Sequence, residues 1–122
     1  MLYLNAAIFE KDYILTKNNI EMMFQVNYLA QFYLTRLLMP CLLVVKFSRI
    51  IILGCESHRG ADLHKNDIST THLNISKSDF NGLQQYCNSK LCSILFANEM
   101  NRRLHILNYG IFFLYYIYLN YI

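Results

Sequence analysis

Apolar and polar positions change rhythm several times along this chain, and each change marks an element. Leu2-Tyr3-Leu4 is a short apolar run ending in Asn5-Ala6-Ala7, the pattern of a buried strand leaving for a loop. Residues 8–19 are polar and irregular. From Ile20 to Met39 the chain is helix-compatible, with Ile20, Met23, Phe24, Asn27, Ala30, Gln31, Leu34 and Leu38 on or near one stripe, until Pro40 breaks or kinks it. Arg49-Ile50-Ile51-Ile52-Leu53-Gly54 is rich in β-branched residues with no polar alternation, which predicts a parallel strand covered on both faces. The polar stretch from Cys55 to Ser78 reads as a long loop of the kind that carries function or disorder. Ser78 or Asp79 can cap a helix running through Tyr86 and Lys90 to about Leu104, its Leu91, Ile94, Leu95, Phe96 and Met100 facing a core.

Strand, helix, strand, long loop, helix is the order of an open parallel α/β sheet. Residues 1–105 are therefore expected to form a partial Rossmann-like parallel sheet with flanking helices. Ligands of such sheets bind beyond the carboxyl ends of the strands, which directs attention to Asn5, Cys55, Glu56 and Ser57. Residues 106–122 differ in kind: an apolar, aromatic tail without a charged side chain from Leu107 onward. It reads as a marginal membrane anchor flanked by Arg102 and Arg103, as a buried strand, or as a non-native terminus. Its biased Tyr/Ile/Asn/Phe/Leu composition favours the last.

Composition changes this picture little but excludes several classes. The 122 residues have the length of one domain, and 16% charged residues with net charge +3 give no basic stripe, so no nucleic-acid partner is expected. Cys41, Cys55, Cys87 and Cys92 form no Cys-x-x-Cys pair, and His58, His64, His72 and His105 lack metal-ligand spacing with them. Reduced thiols, no metal and a cytoplasmic location are the expectation, and the start lacks the basic n-region of a signal peptide.

The candidate chemistry is Tyr86 and Lys90, one helical turn apart on one face. A lysine beside a tyrosine is expected to stabilise the phenolate and make it a usable proton donor near neutral pH. Alone, this spacing is within reach of chance in a chain with ten tyrosines. Three further pieces occur in order with it: Leu4-Asn5-Ala6-Ala7 after a strand, Phe24-Gln25-Val26-Asn27 in a helix, and a strand ending in Gly54-Cys55-Glu56-Ser57-His58-Arg59.

Together the four resemble the second half of the short-chain dehydrogenase/reductase fold over about residues 2 to 104. Glu56-Ser57-His58-Arg59, the run from Tyr86 to Glu99 and Arg102-Arg103-Leu104 are most similar to its WW domain-containing oxidoreductase branch, with retinol-dehydrogenase-like members beside it. The resemblance implies an NADP- or NAD-dependent oxidoreductase interconverting small-molecule carbonyls and alcohols. It implies Tyr86 as catalytic acid/base, and Lys90 as the residue that lowers the tyrosine pKa and bonds the nicotinamide ribose. It further implies that Asn27 holds a water in the proton relay and that Asn5, Ala6 and Ala7 border the cofactor.

Two departures temper that implication. Cys55 stands at the family's catalytic serine, where a thiol is a weaker donor to substrate oxygen, and Ser57 is a candidate substitute. No Gly-x-Gly-x-x-Gly occurs, since the four glycines stand apart at 54, 60, 82 and 110. The chain is thus expected to be a truncated, inactive piece of such an enzyme. The alternatives are a catalytically dead interaction fragment, pairing as a homodimer through the two long helices at about 20–39 and 79–104, or a membrane-associated protein using the aromatic tail, which is not favoured.

Overall fold

The computed structural model describes residues 1–45, 47–63, 75–106 and 112–118. Strand β1 (Leu2–Leu4) and strand β2 (Arg49–Cys55) pair in parallel with Leu2, Tyr3 and Leu4 opposite Ile50, Ile51 and Ile52. Strand β3 (Phe112–Tyr118) pairs parallel to the other edge of β2, Arg49 opposite Phe112 and Cys55 opposite Tyr118, giving the order β1-β2-β3. Seven residues of the aromatic tail thus enter the sheet. This agrees with the strand among the three readings of that segment. β-branched and aromatic residues are enriched in strands, so the composition of this segment is strand-forming. Among the described residues no helix is long and apolar enough to cross a membrane.

Helix α1 begins with one turn over Met22–Phe24, widens to π-helical geometry over Gln25–Leu29 and continues as α-helix over Ala30–Leu43. Its first turn is capped by Glu21, whose Oε1 and Oε2 accept from the amides of Met23 (2.9 Å) and Phe24 (2.8 Å). The helix runs through Pro40 instead of ending there. A proline ring forfeits the amide bond to the carbonyl four residues back but does not force termination when tertiary packing holds both sides. Here Met39, Leu42 and Leu43 pack against the core on either side of it.

Helix α2 (Gly82–Ile106) starts later than its sequence suggested. Asn81 serves as its cap, Oδ1 accepting from the Gln84 amide at 3.0 Å, while Asp79 instead accepts from the Ser76 hydroxyl. The polar stretch before it opens with a 3-10 turn over Glu56–Gly60. His64 and His72 lie outside the described residues.

Both helices cover the same face of the sheet. Leu4, Ile50 and Ile52 form the core with Phe96, Ala97 and Leu104, and Tyr28 and Phe32 of α1 pack against it. The opposite face is only partly covered: Tyr3 is exposed, and Ile51 and Leu53 are half-buried. The expectation of a strand buried on both faces is therefore corrected, because the alternation that the sequence lacks is imposed by one-sided helix packing. Leu95 is likewise exposed where a core position was expected, since α2 turns Ile94 and Phe96 inward on either side of it.

Candidate functional site

The four pieces that the sequence holds far apart meet at the carboxyl ends of β1 and β2. Asn27 is the hub. Fully buried within the π-helical turn of α1, it accepts from the Ile8 amide (2.8 Å) through Oδ1 and donates through Nδ2 to the Ile8 carbonyl (3.0 Å) and to Ser89 Oγ (3.0 Å). Ser89 Oγ in turn donates to the Tyr86 carbonyl at 2.7 Å, and Ser93 Oγ lies 3.1 Å from the Asn27 carbonyl. A wide helical turn of this kind commonly marks a functional position. Here it carries the residue that ties the β1 exit loop to α2.

The segment Asn5-Ala6-Ala7 is exposed at the end of β1 and held from below, where Gln31 Nε2 donates to the Ala6 carbonyl at 2.5 Å. A second buried tie joins the helices: Gln85 Nε2 donates to Glu21 Oε2 at 3.0 Å. Ser89, Ser93 and the Glu21–Gln85 pair were not singled out from sequence, and Gln31 was read there only as a member of the helix stripe. Their only signal there is polarity on a helix face otherwise destined for the core.

Tyr86 is half-buried near the start of α2, its ring edge-on to Phe9 at 5.4 Å. Lys90 lies one turn on, 4% exposed, with Nζ 5.7 Å from the Tyr86 ring centre and 3.4 Å from the Leu53 carbonyl. The electrostatics differ from expectation. Burial, the neighbouring Cys55 charge and the hydrogen bond shared with Cys55 push the Tyr86 phenol up to about 12, with a further contribution from Cys87. Burial also pulls the Lys90 ammonium down from its ordinary value, against the opposing pull of Cys55. Lysine therefore does not bring this phenol towards neutrality. Its charge acts on the thiol.

Cys55 is where that charge is felt. Burial opposes ionisation of its thiol, but the Ser57 hydroxyl and amide, the Tyr86 hydroxyl and the Lys90 charge outweigh it and hold the thiol below its ordinary value. Ser57 Oγ is sealed from solvent without a hydrogen-bond partner among the described residues, so it is not presented to substrate in place of Cys55. The residues present fit a nicotinamide nucleotide in one respect. A buried ammonium whose hydrogen bond to Leu53 is long retains donors for sugar hydroxyls, beside the exposed Asn5-Ala6-Ala7 edge. Among the described residues no cluster of His, Cys, Asp and Glu could hold a metal ion.

Comparison with known proteins gives the class: the chain is homologous to WW domain-containing oxidoreductases and retinol dehydrogenases, which are short-chain dehydrogenase/reductases. Human WW domain-containing oxidoreductase is 41% identical over 106 residues, covering 85% of this chain and 26% of that protein. The Drosophila melanogaster protein of the same name is 40% identical over 102 residues, covering 84% and 24%. Human retinol dehydrogenase 14 is 36% identical over 100 residues, covering 82% and 28%. The chain thus spans about a quarter of the length of the curated relatives it matches. A crystal structure of an uncharacterized protein from Mycobacterium paratuberculosis superposes with a TM-score of 0.76 at 28% identity, over 90% of this chain and 38% of that one. No protein-family model matches.

Proposed function

We propose that this chain carries the proton-transfer centre of a nicotinamide-dependent oxidoreductase acting on small carbonyl compounds and alcohols, and that in its present form the centre is impaired. The observation behind this reading is the convergence of Tyr86, Lys90 and the Asn27–Ser89 network at the strand ends. A phenol pushed up to about 12 stays protonated at neutral pH, so Tyr86 can donate to a carbonyl oxygen but is a poor base towards an alcohol. Lys90 would hold the ribose of the nucleotide, with Asn5, Ala6 and Ala7 along its edge. When bound, NADPH or NADH supplies the hydride. As a thiol, Cys55 offers the substrate oxygen a weaker donor than a serine would, and once ionised it donates nothing and its charge raises the phenol further.

The test is direct. Added NADPH or NADH should shift the Lys90 and Asn5 resonances, and wild-type protein should oxidise it with a small aldehyde at near-background rate. Cys55→Ser should raise that rate at least about tenfold, a modest share of what an oxyanion donor contributes. Nucleotide that leaves every resonance unmoved, with no turnover from either protein, would sink the proposal.

One observation favours a second reading, pairing of two copies through the long helices. Leu95 is 47% exposed over a groove of about 850 Å³ lined by Phe32, Met39, Leu43 and Met100 of the two helices. Sedimentation should show a dimer that Leu95→Glu dissociates, and a monomer at all concentrations would remove this reading.

A further inference from the structure

The turn that leaves α1 for β2 presents large apolar side chains to water. Val44 is 81% exposed, Val45 58% and Phe47 73%. Exposed Pro40 and Cys41 continue this surface back along α1, with exposed Leu37 one turn before Cys41. Single exposed apolar residues need no explanation, but adjacent ones of this size mark an interaction surface.

The turn is held in this form from inside. Ser48 is buried, and its Oγ lies 2.8 Å from the Leu42 carbonyl oxygen and 3.0 Å from that of Val45, so one hydroxyl proton serves both. Phe47 stands in left-handed backbone with a φ of 59°, where a bulky side chain is strained. The fold thus bears strain while leaving an aromatic ring in solvent. Strain of this kind clusters at functional positions.

Charge selects the occupant. From residue 22 to residue 55 the chain has no Asp or Glu, and its charged side chains are Arg36, Lys46 and Arg49. Arg36, two turns before Val44 on α1, and Arg49, at the start of β2, are both exposed. Apolar side chains flanked by cations suit a surface that offers hydrocarbon beneath negative headgroups.

We propose that Val44, Val45 and Phe47 insert into the headgroup layer of an anionic lipid bilayer, with Arg36 and Arg49 against the lipid phosphates. This is peripheral docking and requires no spanning helix. Arg49 and Cys55 are the first and last residues of β2, roughly 20 Å apart at the usual strand rise. Lipid at the Arg49 end therefore leaves the Tyr86 end of the sheet open to water. Docking uses neither nucleotide nor turnover, so it stands or falls apart from the oxidoreductase reading.

The chain has no tryptophan, so Phe47→Trp places a single indole at the turn. On vesicles of phosphatidylcholine containing about one-quarter phosphatidylserine, its emission should shift to the blue and be quenched by brominated acyl chains. In flotation at low salt, the wild-type chain should bind pure phosphatidylcholine about tenfold more weakly. Phe47→Asn is the decisive variant, because asparagine tolerates left-handed backbone. It should melt no lower than wild type while losing about tenfold in vesicle affinity. Wild-type affinity retained by Phe47→Asn overturns the proposal, as does an indole emission that vesicles leave unmoved. Equal binding to both vesicle types overturns the assignment to anionic lipid. Self-association without lipid that Phe47→Asn abolishes, in a chain that no vesicle binds, makes the turn a contact between copies and also overturns the proposal.

Discussion

Cys55 changes the working of every neighbour it touches. A serine there would carry no charge, whereas an ionised thiol repels the phenolate and draws the lysine charge to itself. Cys55→Ser should therefore lower the Tyr86 midpoint from about 12 towards the ordinary tyrosine value of 10.0, read as the ultraviolet titration difference from the matching Tyr86→Phe protein. Because the folded value lies above the unfolded one, Tyr86 contributes stability that is full below pH 10.0 and lost as pH rises through about 12. Tyr86→Phe should flatten that alkaline loss in denaturation measured against pH. Asn27 is a different case, since it bonds both backbone groups of Ile8 and a buried hydroxyl. Asn27→Ala should cost about 2–4 kcal/mol in chemical denaturation, because it strands several buried polar atoms at once. A loss under about 1 kcal/mol would mean that water replaces the side chain.

Helix ends and interruptions carry the next scale. Gly82 opens α2 against the loop before α1, where an added Cβ would stand 2.6 Å from the Glu10 carbonyl oxygen. Gly82→Ala should therefore destabilise by about 1–3 kcal/mol, the usual range for overpacking against backbone. That substitution would also move Tyr86, four residues on, so its thermal shift should be accompanied by a change in the Tyr86 titration. The start of this helix was misplaced from sequence because Ser78, Asp79 and Asn81 are all competent caps. Docking of Gly82 on residues 10 and 11 selects the last of them. In the same way, Pro40 was a sound stop signal that packing of Leu42 and Leu43 overrides.

The described residues form a three-stranded parallel sheet with two long helices on one face and the strand-end residues gathered above it. Phe96 is the side chain that joins the layers, edge-on to Phe32 at 5.3 Å and Tyr28 at 6.4 Å while packing on Ile50 and Ile52. Phe96→Ala should cost about 3–5 kcal/mol and loosen both helices together, seen as one coincident transition at lower denaturant. If Asn27 amide protection survives while the sheet unfolds, the layers are not cooperative.

Sequence alone determined the class of fold, because parallel strands and long amphipathic helices write their period into local residue choice. It also determined the order of the site pieces, whose resemblance to one superfamily rests on four separated motifs. Which face of β2 is buried, where α2 starts and how the aromatic strand enters the sheet were decided only by packing between distant segments. The sharpest case is the tyrosine. Tyr86 and Lys90 are legible as a pair at helical spacing, but the sense of the tyrosine's pKa shift depends on Cys55, thirty-one positions earlier, and on how deeply the fold buries all three. Burial and a neighbour's charge act through space, and no local pattern encodes them.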